Sequence, residues 1–195
     1  MSEIWAIVLA AGESKRMKVP KLLLPFGEKT MIEKVIENVI QSEVFRILVV
    51  LGSYRDEILG AISHLPVSCC YNEDYSKGML SSVQCGLRNL PVQYDAVLFF
   101  PGDQPMIEPY VINTIIDTYR KTGKGIIIPV YRRKRGHPLL VAFKYRNAVE
   151  TLSDEESLRS LALKYRNDVF EVNTRSPGIL KDFDTKKDYL NEINK

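Results

Sequence analysis

A few charged residues in this sequence are spaced in a way that suits phosphate chemistry. Arg16 and Lys21 follow Gly12, which comes directly after an unbroken apolar run over residues 4–11. Backbone N–H groups around a glycine can approach a polyphosphate because no Cβ stands in the way, and nearby cations stabilise its charge. The stretch from residue 9 to 21 is therefore predicted to bind phosphate. It has neither the Walker A spacing nor the three glycines of a dinucleotide site.

A carboxylate, Asp103, follows a second apolar run that ends in the sequence Pro-Gly-Asp-Gln-Pro at residues 101–105. An aspartate at the end of a buried strand is well placed to hold Mg²⁺ between a triphosphate and an acceptor. On the local residues alone, a turn or helix-capping aspartate explains the position about as well.

A third polar stretch, residues 72–82, contains Gly78, Ser81 and Ser82 just before a predicted helix. The N–H groups and hydroxyls at such a helix start can bind the edge of a nucleobase, and they can equally cap the helix. Capping alone would account for one of the two serines.

Strands and helices that alternate along the chain must position these residues. Strands are predicted over residues 4–11, 47–51, 67–71 and 96–100, and the segments between them have helical patterns, with a capping box at Thr30 and Glu33. This alternation predicts parallel βαβ units with right-handed crossovers and a ligand crevice at the carboxyl ends of the strands. Gly12, Gly52 and Asp103, together with Asn72, would then face one crevice.

The second half of the chain is less regular. Helices are predicted over residues 107–121, 154–165 and 185–193, and strands over residues 126–130, 139–143 and 169–172. The polar stretch 131–138 between two of these strands is predicted to form a hairpin-like flap over the crevice. No linker or repeat divides the sequence, so residues 1–195 are predicted to form a single domain.

Composition narrows the classes of function. The net charge is +3 and the cations are dispersed, apart from the dense run at residues 132–135, so a nucleic-acid surface is not indicated. The N-terminal apolar run is too short to cross a membrane and is preceded by Glu3, which favours a cytoplasmic protein without a membrane partner. The three cysteines lack a paired metal spacing and are interpreted as reduced, small apolar residues.

Taken together, these motifs resemble the MobA/MocA-like nucleotidyltransferases, which attach a nucleotide to a phosphorylated acceptor. The resemblance rests on Leu-Ala-Ala-Gly-Glu-Ser-Lys-Arg-Met at residues 9–17 with Lys21, on Gly-Asp-Gln-Pro at 102–105, on Gly-Met-x-Ser-Ser at 78–82, on Arg-Gly-His-Pro at 135–138 and on Asp-x-Asp-Thr at 182–185. It implies an α/β fold with three α/β/α layers, built on a Rossmann-like, mostly parallel sheet of the nucleotide-diphospho-sugar transferase type.

The resemblance also assigns roles to individual residues. Arg16 and Lys21 would be catalytic, Asp103 and Asp184 would bind Mg²⁺ with Asp182 in reserve, and one of these two later aspartates could instead cap the last helix. The acceptor would lie beside Arg135, Gly136 and His137, although a lone histidine is commonly structural. The nucleotide would be bound by Leu9, Ala10, Ala11, Gly12, Gly78, Ser81 and Ser82.

Two departures from the family pattern affect particular segments. Lys18 stands where a glycine normally follows the methionine, which affects the path of the loop between Arg16 and Lys21. Lys186 and Lys187 replace a proline and a glutamate at the start of the last helix.

Ala10 and Ala11 before Gly12, together with the Arg-Gly-His-Pro stretch, make the sequence similar to the cytidylyl branch of the family. CTP and molybdopterin are therefore the expected substrates. Two alternatives stay open. One is a related transferase that uses a sugar phosphate or methylerythritol phosphate, and the other is a non-catalytic carrier of molybdenum cofactor for a molybdenum hydroxylase.

Overall fold

The computed structural model describes residues 2–193 and is built on an eight-stranded sheet, with a separate two-stranded hairpin formed by β2 and β3. The strands in chain order are β1 (Ile4–Ala10), β2 (Pro25–Phe26), β3 (Lys29–Thr30), β4 (Arg46–Leu51), β5 (Ser68–Tyr71), β6 (Ala96–Pro101), β7 (Ile126–Tyr131), β8 (Lys134–Arg135), β9 (Leu139–Ala142) and β10 (Val169–Asn173).

Helices connect the strands. They are α1 (Met31–Ile40), α2 (Arg55–Ile62), α3 (Met79–Arg88), α4 (Pro109–Thr122), α5 (Arg146–Glu150), α6 (Leu158–Lys164) and α7 (Lys186–Ile193). The predicted capping box at the start of α1 is confirmed, because the Thr30 hydroxyl accepts from the Glu33 N–H while the Glu33 carboxylate accepts from the Thr30 N–H. Within residues 2–193, no helix combines the length and the apolar character that a membrane crossing requires.

The sheet is mostly parallel, as predicted. Its order is β10-β7-β9-β6-β1-β4-β5, with β8 also paired to β7. β1 pairs in parallel with both β4 and β6, whereas β9 runs antiparallel between β6 and β7. β1 therefore lies inside the sheet, and its carboxyl end meets those of β4 and β6 at one edge.

Two apolar cores cover the two faces of the sheet, which gives the expected three α/β/α layers. In β1, Ile4, Ala6 and Val8 point into the core that contains the buried faces of α1, α2 and α4. Trp5 and Ile7 point into the core that contains α3, α5 and α6. Because helices cover both faces of the sheet, neither set of alternating side chains on β1 faces water. This explains the unbroken apolar run at the N-terminus.

The polar stretch after β7 is part of the sheet and not a flap. Arg132 and Arg133 form a two-residue turn in which both have positive φ, 47° and 65°, as in the type I′ turns that suit the twist of hairpins. β8 then runs back along β7, and β9 continues along the same strand in the same antiparallel direction. The predicted hairpin is therefore confirmed, whereas its predicted place as a cover over the crevice is wrong, because it extends the sheet.

Other differences lie where tertiary context outweighs local pattern. The helix predicted from residue 154 begins at Leu158, and the short helix α5 and the hairpin formed by β2 and β3 were not predicted. β5 is an edge strand, and Cys69 on it is exposed.

Candidate active site

A cavity of about 400 Å³ opens at the carboxyl ends of β1 and β6, beside the N-terminus of α3. Four segments line it: the loop after β1, the turn before α3, the turn after β6 and a single aspartate from the C-terminal region. This is the edge at which parallel α/β sheets bind ligands. Its lining includes Gly12, Arg16, Lys21, Gly78, Ser82, Asp103 and Asp184.

The loop after β1 is organised around Ser14. The Ser14 carbonyl accepts from the N–H groups of Met17 and Lys18, and its hydroxyl accepts from the Lys21 N–H at 3.2 Å. Lys18 adopts a left-handed backbone conformation with φ of 57°. A glycine enters that conformation at lower cost, which gives a physical reason for the glycine of the family pattern at this position.

Two glycines allow neighbouring backbones to approach the end of β1. A Cβ on Gly52 would lie 2.5 Å from the Ala11 carbonyl oxygen, and one on Gly102 would lie 2.8 Å from that of Leu9. A Cβ on Gly12, by contrast, would have no atom within 4 Å apart from those of Gly12 itself and of its chain neighbours. Gly52 and Gly102 are thus required by packing, whereas Gly12 borders open space in the cavity.

Four charged side chains meet in the cavity. Lys21 Nζ lies 2.5 Å from Asp103 Oδ2 and 3.1 Å from Asp184 Oδ1, and Arg16 Nη2 lies 2.6 Å from Asp184 Oδ2. The Lys21 and Asp103 side chains are only 16% and 14% exposed, whereas the Arg16 side chain is 67% exposed. The lysine thus joins the two carboxylates from within, and the arginine contacts one of them from the rim.

The pairing is reflected in the proton affinities. Burial by itself would lower the pKa of Lys21, but the charges of Asp103 and Asp184 and the hydrogen bonds to them outweigh it and raise the pKa. Burial would raise the pKa of Asp184, but the hydrogen bonds and charges of Lys21 and Arg16 lower it. Lys21 is therefore a cation and Asp184 an anion near neutral pH.

Asp103 and Asp184 are the two carboxylates of this cluster that could hold a divalent cation together with substrate phosphates. Within residues 2–193, no three or more His, Cys, Asp or Glu side chains are grouped to hold a metal by protein ligands alone. Mg²⁺ commonly takes one or two carboxylates, with water and substrate phosphates completing its coordination. Asp182, the reserve ligand, is exposed and does not line the cavity.

The N-terminus of α3 faces the cavity through Gly78 and Ser82, while Ser81 lies beneath it. The buried Asn72 Nδ2 donates to Ser81 Oγ at 2.9 Å and to Ser82 Oγ at 3.0 Å, and the Asn72 Oδ1 accepts from the Asp74 N–H. Gly78 has φ of 106° and its position provides no side-chain cap. The predicted base-binding stretch therefore reaches the cavity, but Ser81 contributes to the support of the helix.

The three residues predicted to contact the acceptor do not line this cavity. Arg135 pairs with Glu171 on β10, with Nη2 and Oε1 2.6 Å apart. Gly136 packs against the Ile179 carbonyl, to which the His137 N–H donates at 3.0 Å. Burial lowers the pKa of His137, and the charges of Asp103 and Asp182 oppose this shift only partly, so the histidine is neutral near pH 7.

Comparison with known proteins identifies the family. Residues 6–169 match the model of the MobA-like NTP transferase domain. The chain belongs to this family. One curated relative is the molybdenum cofactor cytidylyltransferase of Escherichia coli (strain K12), which is 28% identical over 97% of this chain and 95% of its own length.

Solved structures agree with the MobA-like fold. A homologue of Mycobacterium tuberculosis Rv0371c, from Mycobacterium sp. strain JC1, superimposes with a TM-score of 0.88 and 26% identity over 98% of this chain and 96% of its own. Mycobacterium tuberculosis Rv0371c itself, in complex with manganese, gives a TM-score of 0.82 and 23% identity over 99% of both chains. At 23% identity, the similarity to Rv0371c itself shows a shared fold and no more.

Several residues that line the cavity were given no role from the sequence, although most of them lie inside the MobA-like motifs. Glu13, Ser14 and Lys15 line it within the loop, and Tyr75, Ser76 and Met79 line it next to Gly78. The Met79 side chain is 59% exposed at the start of a helix, although methionine is normally buried. Ala10 is fully buried in the core and does not line the cavity, because alternate residues of β1 face opposite sides of the sheet.

Proposed function

We propose that this MobA-like nucleotidyltransferase moves CMP from CTP to the phosphate of molybdopterin, with Mg²⁺, and releases pyrophosphate. The observation that carries the proposal is the meeting of Arg16, Lys21, Asp103 and Asp184 beside the loop after β1. CTP and molybdopterin are favoured by the similarity to the cytidylyltransferase of Escherichia coli, which extends over nearly the full length of both chains.

The chemistry requires positioning and charge compensation more than proton transfer. A phosphate monoester is mostly ionised near pH 7, so an oxygen of the acceptor phosphate can attack the α-phosphorus without a general base. The loop after β1 would bind the β- and γ-phosphates through its N–H groups, and Arg16 and Lys21 would stabilise the charge on the α-phosphate and on the departing pyrophosphate. Asp103 and Asp184 would hold Mg²⁺, which when bound neutralises phosphate charge and helps to align the reacting groups.

The substrate groups on either side of the α-phosphate would take different parts of the site. The nucleobase and ribose would lie against Gly78, Met79 and Ser82, where backbone groups of the α3 N-terminus and one hydroxyl are available. Ser81 would support that surface from below. The acceptor would approach Asp103 from the segment that contains Arg135, Gly136 and His137, and Arg135 would be available to it only after leaving Glu171.

The test is to incubate the protein with Mg²⁺, molybdopterin and each nucleoside triphosphate in turn, and to measure the mass of the product. We expect a molybdopterin-cytidine adduct and pyrophosphate with CTP, and no more than about one tenth of that rate with the other triphosphates. Sugar phosphates and methylerythritol phosphate serve as acceptor controls. Faster pyrophosphate release with one of them would reassign the acceptor, and cofactor binding without any turnover would favour a carrier.

A further inference from the structure

Lys21 occupies the place between the two carboxylates that the proposed function assigns to the metal. Its ammonium lies 2.5 Å from Asp103 Oδ2 and 3.1 Å from Asp184 Oδ1, so one nitrogen contacts an oxygen of each side chain. The segments that bring these three residues together are far apart in the sequence: the loop after β1, the turn after β6 and the stretch before α7.

We propose that Lys21 acts as an internal substitute for the metal, holding Asp103 and Asp184 together until a triphosphate draws its ammonium away, so that the metal enters with the triphosphate and not before it. The inference rests on the proposed function, because it takes the two carboxylates as the ligands of Mg²⁺. It adds a second role for Lys21, that of positioning the carboxylates in the free protein.

Space and charge both disfavour a metal ion at the two carboxylates while Lys21 contacts them. A metal ion that bound both carboxylates would need the oxygens that Lys21 now contacts, and its double positive charge would be close to the ammonium and to Arg16. The Lys21 and Asp103 side chains are largely buried, so solvent screens this repulsion poorly. Metal alone is therefore expected to bind weakly while Lys21 is in place.

A bound triphosphate would change the charges around Lys21. Its several negative charges offer Arg16 and Lys21 new partners on the same cavity wall, and the flexible four-carbon stem of a lysine allows its head group to move while its backbone stays in the loop. The two carboxylates would then be free for a cation that also contacts the phosphates. Such coupling is reciprocal, so the metal strengthens triphosphate binding as much as the triphosphate strengthens metal binding.

The experiment measures Mn²⁺ binding directly, by the electron paramagnetic resonance signal of free Mn²⁺, with and without CTP, using Mn²⁺ and CTP without protein as a blank. Wild-type protein is expected to bind Mn²⁺ weakly alone and at least about tenfold more tightly with CTP. Lys21→Met keeps the stem and removes the charge, so it should bind Mn²⁺ alone at least about tenfold more tightly than wild type. Lys21→Arg should stay close to wild type because the charge remains.

Lys77→Met is the matched control, since Lys77 also pairs with a carboxylate, Asp74, at 2.9 Å, but neither lines the cavity nor contacts Asp103 or Asp184. It should leave Mn²⁺ binding in the absence of CTP within about twofold of wild type. An equal gain in the two methionine variants would mean that general charge is responsible, and would overturn the inference. Melting curves of each variant establish that it is folded.

Wild-type protein also tests the inference without any variant. Tight Mn²⁺ binding in the absence of CTP, abolished by Asp103→Asn, would overturn the role of Lys21 while leaving the metal site of the proposed function intact. If wild type bound no Mn²⁺ beyond the blank even with CTP, the assignment of Asp103 and Asp184 as metal ligands would fail and the inference with it.

Discussion

Asp182 and Asp184 are two residues apart, yet they lie in different environments. Asp184 contacts Lys21 and Arg16 in the cavity, whereas Asp182 is exposed and lies outside it. The sequence predicted both as candidates and could not separate them. Their tertiary contacts separate them, because the Asp184 carboxylate pairs with Lys21 and Arg16.

The two aspartates therefore give a matched pair of substitutions. Asp184→Asn should lower nucleotidyl transfer at least about a hundredfold, because it removes a carboxylate from the charge cluster. Asp182→Asn should change the rate by less than about threefold. Steady-state pyrophosphate release by both variants, at saturating Mg²⁺, is the measurement. Comparable losses in the two would contradict the assignment.

Two glycines offer a second comparison at the level of single residues. Gly52→Ala should lower the free energy of unfolding by about 2 kcal/mol or more, because its Cβ would collide with the Ala11 carbonyl. Gly12→Ala should leave stability within about 0.5 kcal/mol of wild type, since its Cβ meets no protein atom. It should nevertheless raise the KM for the triphosphate about tenfold if phosphate lies against this position.

Urea denaturation and initial rates at varied CTP measure the two effects separately. An unchanged KM in folded Gly12→Ala protein would show that the phosphates bind elsewhere. Sequence alone marked both positions as glycines after strands, and could not tell a glycine required by packing from one that borders the cavity.

At the level of elements, the strands and long helices were predictable because each has a continuous apolar run or a helical stripe. The antiparallel pairing of β9 with β7 was also predicted, as a hairpin, but its pairing with β6 was not, since β6 lies far earlier in the sequence. The same limit explains Arg135. Its ionic partner, Glu171, lies on β10 and cannot be inferred from the local Arg-Gly-His-Pro pattern.

The start of α3 shows how one buried side chain can support a binding surface. Asn72→Ala would remove the donor to Ser81 and Ser82, so we expect a loss of about 1–3 kcal/mol in unfolding free energy and a rise of several-fold in the KM for CTP. The turnover number should change less, because no reacting atom is touched.

Asn89→Ala is the control for this prediction. Asn89 caps the opposite end of the same helix, where its Nδ2 donates to the Cys85 carbonyl. Its loss should destabilise the protein without changing the KM. Denaturation curves together with CTP titrations distinguish a positioning role for Asn72 from a purely structural one, which would lower stability and leave the KM unaffected.

On the scale of the whole molecule, the apolar faces of the sheet dictate the three layers, and this is why the fold class could be predicted from the sequence. Polar clusters that connect segments distant in sequence were not predictable. One lies at the start of β10, where Asp168 Oδ2 accepts from the Tyr145 hydroxyl and pairs with Lys144, both at 2.7 Å. Burial would raise the pKa of Asp168, but these hydrogen bonds, the Gly125 N–H and the Lys144 charge lower it.

This cluster makes stability depend on pH. Because the pKa of Asp168 is lower in the folded than in the unfolded chain, its contribution is present above the ordinary aspartate value and is lost as the pH falls through the lowered one. Asp168→Asn should therefore cost about 1–2 kcal/mol at pH 7 and progressively less below pH ~4. Urea denaturation across that range is the measurement. Glu156→Gln, at a fully exposed carboxylate, should cost far less at pH 7, and an equal cost in both variants would contradict the prediction.

The charge cluster in the cavity has a consequence for how the chain matures. Asp103 and Asp184 are neutralised by Lys21 and Arg16 of the same chain, so folding need not wait for an ion from the cell. We expect the melting temperature without nucleotide to be the same in EDTA as in MgCl₂, within about 1 °C. A marked fall in EDTA would mean that the fold itself draws on the metal supply. If the two melting temperatures agree, newly made protein would fold fully even when magnesium is scarce, and would lack only the metal that the reaction needs.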